Sequence, residues 1–261
     1  MERYKNKAVM IIGAAQGIGK AVAEAYAAEG ADVALFDIQD KVNEVAKNIA
    51  HTYKNSKVYS GIIDISNFES CEKAAEVTVE KLGRIDVAAV VSGILPKAGT
   101  ILETPISTWE KVISVNLNGY FYICKAVAKY MVEQKSGNVI LTGSWWGYAG
   151  HAFFASYCCS KAGVIKLTQA LSEELAPYGI RINCVCPSSI QTEIHEEAIA
   201  VEAKNRGITI DEMKEIDYKK MAMRRPGTTQ EIADGFLYLS SDQASYVTGA
   251  CLDVTGGGGF R

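Results

Sequence analysis

The run Gly13-Ala14-Ala15-Gln16-Gly17-Ile18-Gly19 limits this chain's fold more than any other, because of what flanks it. Before it, Lys7 to Ile12 is apolar and rich in β-branched residues, the pattern of a strand buried on both faces of a parallel sheet. After it, Ala21, Val22, Ala25, Tyr26 and Ala27 recur at helical spacing up to Gly30. Strand, glycine turn and helix in this order form the context of a dinucleotide-binding turn. Gly13 permits the tight turn, Gly17 lets backbone approach a pyrophosphate, and Gly19 lets helix and strand pack closely. The free amides at the helix start, from Gln16 through Ile18, then face the phosphates.

A second strand, Asp32 to Phe36, ends at Asp37, about 20 residues beyond the glycines. A carboxylate there accepts hydrogen bonds from a ribose 2′-hydroxyl and repels a 2′-phosphate. Neither Gln16 nor Ile38 supplies a cation for such a phosphate, so the expected cofactor is NAD. A plain capping aspartate at a strand end is the competing reading.

The rest of the chain repeats the strand–helix unit. Strands are expected near 7–12, 32–36, 57–63, 85–91, 137–143, 180–186 and 250–254. Helices are expected near 17–29, 40–52, 67–82, 107–134, 155–176 and 229–240. This alternation predicts an α/β chain, one domain over 1–261, with a Rossmann-type doubly wound parallel sheet of about seven strands and helices on both faces. The segment 188–225 is long, charged and interrupted by Gly207, and reads as a substrate lid with helices of its own. An ordinary surface excursion is the alternative.

Tyr157 and Lys161, four residues apart, share one face of the helix expected at 155–176. An ammonium beside a phenol favours the phenolate, and acid–base chemistry on an alcohol needs such a group near working pH. The spacing alone is also common on solvated helices.

With the glycine turn, these residues carry a resemblance to the short-chain dehydrogenase/reductase family over nearly the whole chain. The family's glycine motif matches Gly13, Gly17 and Gly19, and its Tyr-x-x-x-Lys matches Tyr157 and Lys161. Its active-site serine, about a dozen residues before the tyrosine, matches Ser144. Its asparagine matches Asn116. Asp64 and Ile65 match a pair that contacts adenine, Ser92 and Gly93 fall in the segment after the fourth strand, and Pro187, Ile190 and Thr192 fall in the segment along the nicotinamide. Three positions depart from the pattern: Ile12 replaces a threonine that braces the glycine loop, Val90-Val91-Ser92-Gly93 replaces Asn-Asn-Ala-Gly, and Ser188 replaces a glycine.

The resemblance implies hydride transfer between a secondary alcohol and its ketone. Tyr157 is the implied acid–base, Ser144 holds the reacting oxygen, Lys161 lowers the phenol pKa and holds the nicotinamide ribose, and Asn116 anchors a relay water. Aromatic residues crowd between Ser144 and Tyr157. Trp145, Trp146 and His151, with Gln191 beyond, are candidate substrate contacts, although core packing explains any one of the aromatics as well. The expected substrate is a polyol, sugar or small hydroxy compound. A hydroxysteroid dehydrogenase and a β-ketoacyl-carrier reductase are the rivals, and a non-catalytic NAD-binding sensor is the alternative outside enzymes. The family also implies a homotetramer pairing the helices at 107–134 and 155–176, where Val164, Ile165, Leu167 and Leu171 lie on more than one face.

A net charge of −3 without a basic patch argues against nucleic acid. No charged-then-apolar leader opens the chain and no apolar run is long enough for a bilayer, so a cytoplasmic protein with no membrane partner is expected. The seven cysteines, an odd number without framework spacing, suit a reducing compartment. They read as packing residues, Cys184 and Cys186 alternating on a strand and Cys158 and Cys159 adjacent on a helix, and no metal site is expected.

Overall fold

The computed structural model describes residues 2–258; residues 1 and 259–261, the ends of the expected 1–261 domain, lie outside it. Seven strands form one parallel sheet in the order β3-β2-β1-β4-β5-β6-β7. They are β1 (Ala8–Ile12), β2 (Asp32–Asp37), β3 (Val58–Ile62), β4 (Val87–Val90), β5 (Gly137–Thr142), β6 (Ile180–Pro187) and β7 (Cys251–Val254). The order reverses between β1 and β4, and ligands of such sheets bind in the crevice outside the strand ends at that switch point.

Period-two alternation along the strands builds two cores. Val9, Ile11, Val33 and Leu35 point to one face. There they meet Val22 and Tyr26 of α1 (Gly17–Ala28), Val42 and Ile49 of α2 (Lys41–Thr52), and Ile232 and Phe236 of α9 (Thr229–Ser240). Met10, Ile12, Ala34 and Phe36 point to the other. They meet Cys71 and Ala75 of α3 (Phe68–Leu82), Ile123 and Val127 of α5 (Gly119–Gln134), and Val164 and Ile165 of α6 (Ala155–Leu175). Each large apolar side chain so buried contributes about 1.5–3 kcal/mol before entropy is counted. Leu167 and Leu171 also pack against this second core, so the apolar residues noted on α6 serve the chain's own interior.

The helix expected at 107–134 is not uniform. It is α4 (Ile106–Ile113), a π-helical turn at Ser114–Asn118, and then α5. Periodicity hides such a turn because the apolar stripe continues through it, and π-turns recur at functional sites. The segment 188–225 carries two helices, α7 (Glu193–Arg206) and α8 (Ile210–Tyr218). Thr192 caps α7 by accepting from the His195 amide, and Thr209 with Glu212 forms a reciprocal capping box on α8. No helix among the described residues is long and apolar enough to cross a membrane.

Candidate active site

The glycine turn follows β1 at the switch point. Gly13 has φ +91, and a Cβ on it would lie 2.6 Å from the Ser92 nitrogen; a Cβ on Gly19 would strike the Gly13 carbonyl. Both glycines are therefore required by close backbone approach. Gln16 enters α1 in extended conformation without a side-chain cap, which leaves the helix's first amides for an anion. Asp37, buried at the end of β2, accepts from the Ala15 amide through Oδ2 and from the Gln39 amide through Oδ1, both at 3.0 Å. It thus ties the turn to β2, and the Gly13 amide adds a 2.7 Å bond to the Phe36 carbonyl. These bonds replace the brace lost with Ile12 in place of threonine. Ile38 beside it is exposed.

Asp64 follows β3 and accepts from the Ser66 amide and hydroxyl, which hold its carboxyl below the usual range. Ile65 is buried against Gly119, where a Cβ would lie 2.7 Å from its side chain. The segment after β4 is held from two sides. Val91 and Ser92 donate through their amides to the Ile12 carbonyl, and the Tyr120 hydroxyl donates to the Ser92 carbonyl at 2.7 Å. The Thr142 hydroxyl donates to the Val90 carbonyl at 2.7 Å. Main chain, Tyr120 and Thr142 therefore hold the place where side-chain amides are missing.

Asn116 is fully buried in the π-turn. Its Oδ1 accepts from the Ile94 amide and its Nδ2 donates to the Ile94 carbonyl, each at 2.9 Å, with a longer bond to the Ser160 hydroxyl at 3.4 Å. Through these bonds it pins 92–94 beside α6. A Cβ on Gly93 would lie 3.7 Å from Lys161 Nζ and 3.6 Å from Asn116 Oδ1, which brings those side chains together under the crevice.

Ser144 stands two residues beyond β5, and its Oγ accepts from the Trp146 amide at 3.2 Å. Tyr157 and Lys161 rise from the first turns of α6. Ser144 faces the Tyr157 phenol and favours its ionised form, and Lys161 Nζ donates to the Thr142 carbonyl at 2.8 Å. The ammonium lies 5.7 Å from the centre of the Tyr157 ring and 5.2 Å from that of Tyr120. Burial pushes the Tyr157 phenol up to about 12, against the lowering effect of Ser144, and pushes Lys161 down to about 8. This corrects the expectation that Lys161 draws the phenol down. Its ammonium is turned to the Thr142 carbonyl, and desolvation sets the direction of the phenol's shift.

The aromatic segment wraps this group. Trp146 stacks on His151 at 4.5 Å and meets the Tyr157 ring edge-on at 5.9 Å, while Trp145 lies 6.0 Å from His151. Burial and the charge of Lys220 push the His151 pKa down, which keeps the ring neutral at pH 7. Trp146 Nε1 is a buried donor without a protein acceptor, beside Tyr157. Phe153 adopts φ +71, a strained conformation for a non-glycine residue just before α6.

After β6, Pro187 leads into Ser188, whose hydroxyl donates to the Thr255 carbonyl at 2.9 Å, away from the crevice. Ile190 is buried and bridges to Gly227, and the Gln191 amide donates to the Gly227 carbonyl at 2.9 Å. Gln191 is exposed. Thr192 closes over the glycine turn: a Cβ on Gly17 would lie 3.5 Å from its methyl. The elements thus converge on one crevice with a glycine cradle, an open helix start and a carboxylate at the end of β2. This fits a nicotinamide dinucleotide.

Two residues that spacing and motif did not single out belong to this scaffold. Tyr120 was within reach, standing one turn beyond Asn116. Thr142 contributes a main-chain carbonyl to Lys161 and a hydroxyl to the Val90 carbonyl on the neighbouring strand, a pairing set by strand order that spacing does not carry.

A family model described as enoyl-(acyl carrier protein) reductase matches residues 13–258. A 3-oxoacyl-(acyl-carrier-protein) reductase of Thermotoga maritima is 32% identical over 256 residues, covering 98% of each chain. A meso-2,3-butanediol dehydrogenase of Serratia marcescens is 32% identical over 255 residues, covering 98% of this chain and 95% of its own. The crystal structure of an NAD+-bound xylitol dehydrogenase superposes with a TM-score of 0.92 at 27% identity, covering 97% of this chain and 99% of the other. With the parallel seven-stranded sheet and the ordered motifs along it, these matches show that the chain belongs to the short-chain dehydrogenase/reductase family, a family of oxidoreductases.

Proposed function

We propose that the chain is an NAD-dependent dehydrogenase that interconverts a secondary alcohol and its ketone, on a polyol, sugar or small hydroxy compound. The observation that carries this reading is the group of buried Ser144 and Lys161 with half-buried Tyr157 beside the glycine cradle. When bound, the nicotinamide supplies the two-electron acceptor or donor. In the oxidative direction Tyr157, as phenolate, takes the proton of the substrate hydroxyl; in the reverse direction its hydroxyl, the form that burial favours, donates that proton, and Ser144 Oγ fixes the reacting oxygen against it. Lys161, mostly protonated at pH 7 with its pKa near 8, donates to the ribose and keeps a positive charge 5.7 Å from the centre of the Tyr157 ring. Asn116 holds 92–94 in place and anchors a water that returns the proton to solvent.

For the cofactor, Gly13, Gln16, Gly17, Ile18 and Gly19 cradle the pyrophosphate, and Asp37 with Ile38 receives the adenosine ribose. Asp64 and Ile65 flank adenine; Ser92, Gly93, Pro187, Ile190 and Thr192 line the nicotinamide half. Asp37 favours NAD because a second negative charge at the 2′ position would face a carboxylate already held by two amides. Lys41 at the start of α2 is paired with Glu193 at 3.9 Å.

Trp145, Trp146, His151 and Gln191 are proposed substrate contacts, and 188–225 a lid over them. Stacked rings suit the C–H faces of a polyol, and the Trp146 N–H awaits an oxygen acceptor. The NAD+-bound xylitol dehydrogenase and the butanediol dehydrogenase support this substrate class. The relative acting on 3-oxoacyl-(acyl-carrier-protein) supports a carrier-bound ketone as the second reading. Exposed Ile106, Trp109 and Phe121 along α4 and α5 support a contact between copies of the chain, with a homotetramer as the proposed assembly and the cytoplasm as the proposed compartment. Rates of NADH and NADPH formation with polyols, sugars and hydroxysteroids, and of NAD(P)H loss with a 3-oxoacyl thioester, test the reading. Activity confined to the thioester with NADPH would replace it with the carrier-reductase reading.

A further inference from the structure

Three of the seven cysteines, read from the sequence as packing residues, come together in space: we propose that Cys184, Cys186 and Cys251 form a binding site for one thiophilic divalent cation, zinc being the biological ion. Cys184 and Cys186 stand two apart on β6 and leave the sheet on the same face. The parallel register places Cys251 of β7 opposite Cys184 and Asp253 opposite Cys186. The three Sγ atoms lie within 4.8 Å of one another, and Cys184 Sγ is 3.8 Å from Cys186 Sγ. Zinc–thiolate bonds of about 2.3 Å at the tetrahedral angle require sulfur–sulfur separations of about 3.8 Å. One edge of the triangle therefore has the length a bound ion needs. Rotation of Cys251, the least buried of the three, draws in the rest.

The surroundings fit a small ion. A Cβ on Gly143 would lie 2.7 Å from Cys186 Sγ and 2.8 Å from Cys184 Sγ, so glycine there leaves the room for the sulfurs. The Tyr148 hydroxyl is 3.4 Å from Cys186 Sγ, and exposed Asp253, within electrostatic reach of that hydroxyl, stands at the outer side. An oxygen from Asp253 or water completes a fourth position there. Soft thiolates select zinc, cadmium or copper(I) over magnesium or calcium. Among the soft ions a divalent cation leaves the three thiolates with a net charge of −1 and a monovalent one with −2. Burial favours the former. On binding, three thiols give up three protons to solvent as three metal–sulfur bonds form; nothing is oxidised or reduced.

The test uses the full reduced, metal-free chain, titrated with Cd2+ at pH 8 while the thiolate-to-cadmium charge-transfer absorbance is read. Saturation at one ion per chain, with Zn2+ bleaching the band, is expected. Cys251→Ser should weaken Cd2+ binding by at least about tenfold, and Cys186→Ser should do the same. Cys159→Ser, which removes an exposed thiol on α6, should leave the titration unchanged. Circular dichroism establishes that each variant is folded, and Cys251→Ser, at the more open position, keeps the test usable if a Cys186 variant fails to fold. No band at one equivalent in the folded protein, or an unchanged titration in Cys251→Ser, overturns the site. So does loss of the band in Cys159→Ser.

Discussion

Replacing Lys161 with methionine should abolish turnover while leaving the fold as stable or more stable at neutral pH. The ammonium is 3% exposed and donates to the Thr142 carbonyl. Burial lowers its pKa from 10.5 to about 8, so between those values the unfolded chain binds more protons than the folded one. Stability contributed by this group therefore rises with pH across that window, and the full cost of burying the charge, about 3 kcal/mol, applies below pH 8. Methionine keeps the apolar stem and removes the charge, but it forfeits a charge-assisted hydrogen bond of about 1.5–3 kcal/mol. The two partly cancel at pH 7, leaving a gain of up to about 1.5 kcal/mol. The pH dependence is the sharper readout, because contributions from every other group cancel between the two proteins. Urea unfolding at pH 7 and pH 9.5 should show the wild type gaining about 2 kcal/mol relative to Lys161→Met. Parallel stability curves would refute a buried, charged Lys161.

Three further outcomes follow from the crevice. Asp37→Ser should narrow a preference for NAD over NADP that is at least about tenfold in kcat/KM, roughly 1.4 kcal/mol, in the unmodified enzyme; equal use of both cofactors before mutation contradicts the role given to Asp37. Asn116→Ala leaves the Ile94 amide and carbonyl without their partner and should cost about 2 kcal/mol in urea unfolding; an unchanged midpoint contradicts the pinning of 92–94. Residues 188–225 should gain hydrogen-exchange protection when NAD and substrate are both present, and strong protection in the free chain would make them a fixed element.

Much of the fold was legible because its signals are local. All seven strands and the glycine turn lie within two residues of their expected places, since apolar runs and glycine positions are written in the chain. Asp37 and the Tyr157–Lys161 pair were singled out by spacing, and Ser144 and Asn116 through the family resemblance. What spacing does not carry was missed. The π-turn that seats Asn116 preserves the apolar stripe, so 107–134 read as one helix. The direction of the Tyr157 pKa depends on how completely 145–154 and α6 exclude water, a tertiary property. The meeting of Cys251 with Cys184 depends on the register of β7 on β6, strands far apart in sequence.

Tyr157→Phe tests the central claim most directly, because it keeps the ring and its edge-on contact with Trp146 and removes one hydroxyl. Oxidation of the best alcohol in the panel should fall by at least about 10²–10⁴-fold, the range of general acid–base catalysis, while NAD binding by fluorescence titration stays near its wild-type value. Near-normal turnover in a folded Tyr157→Phe protein would contradict the assignment of Tyr157 as the group that takes the substrate proton.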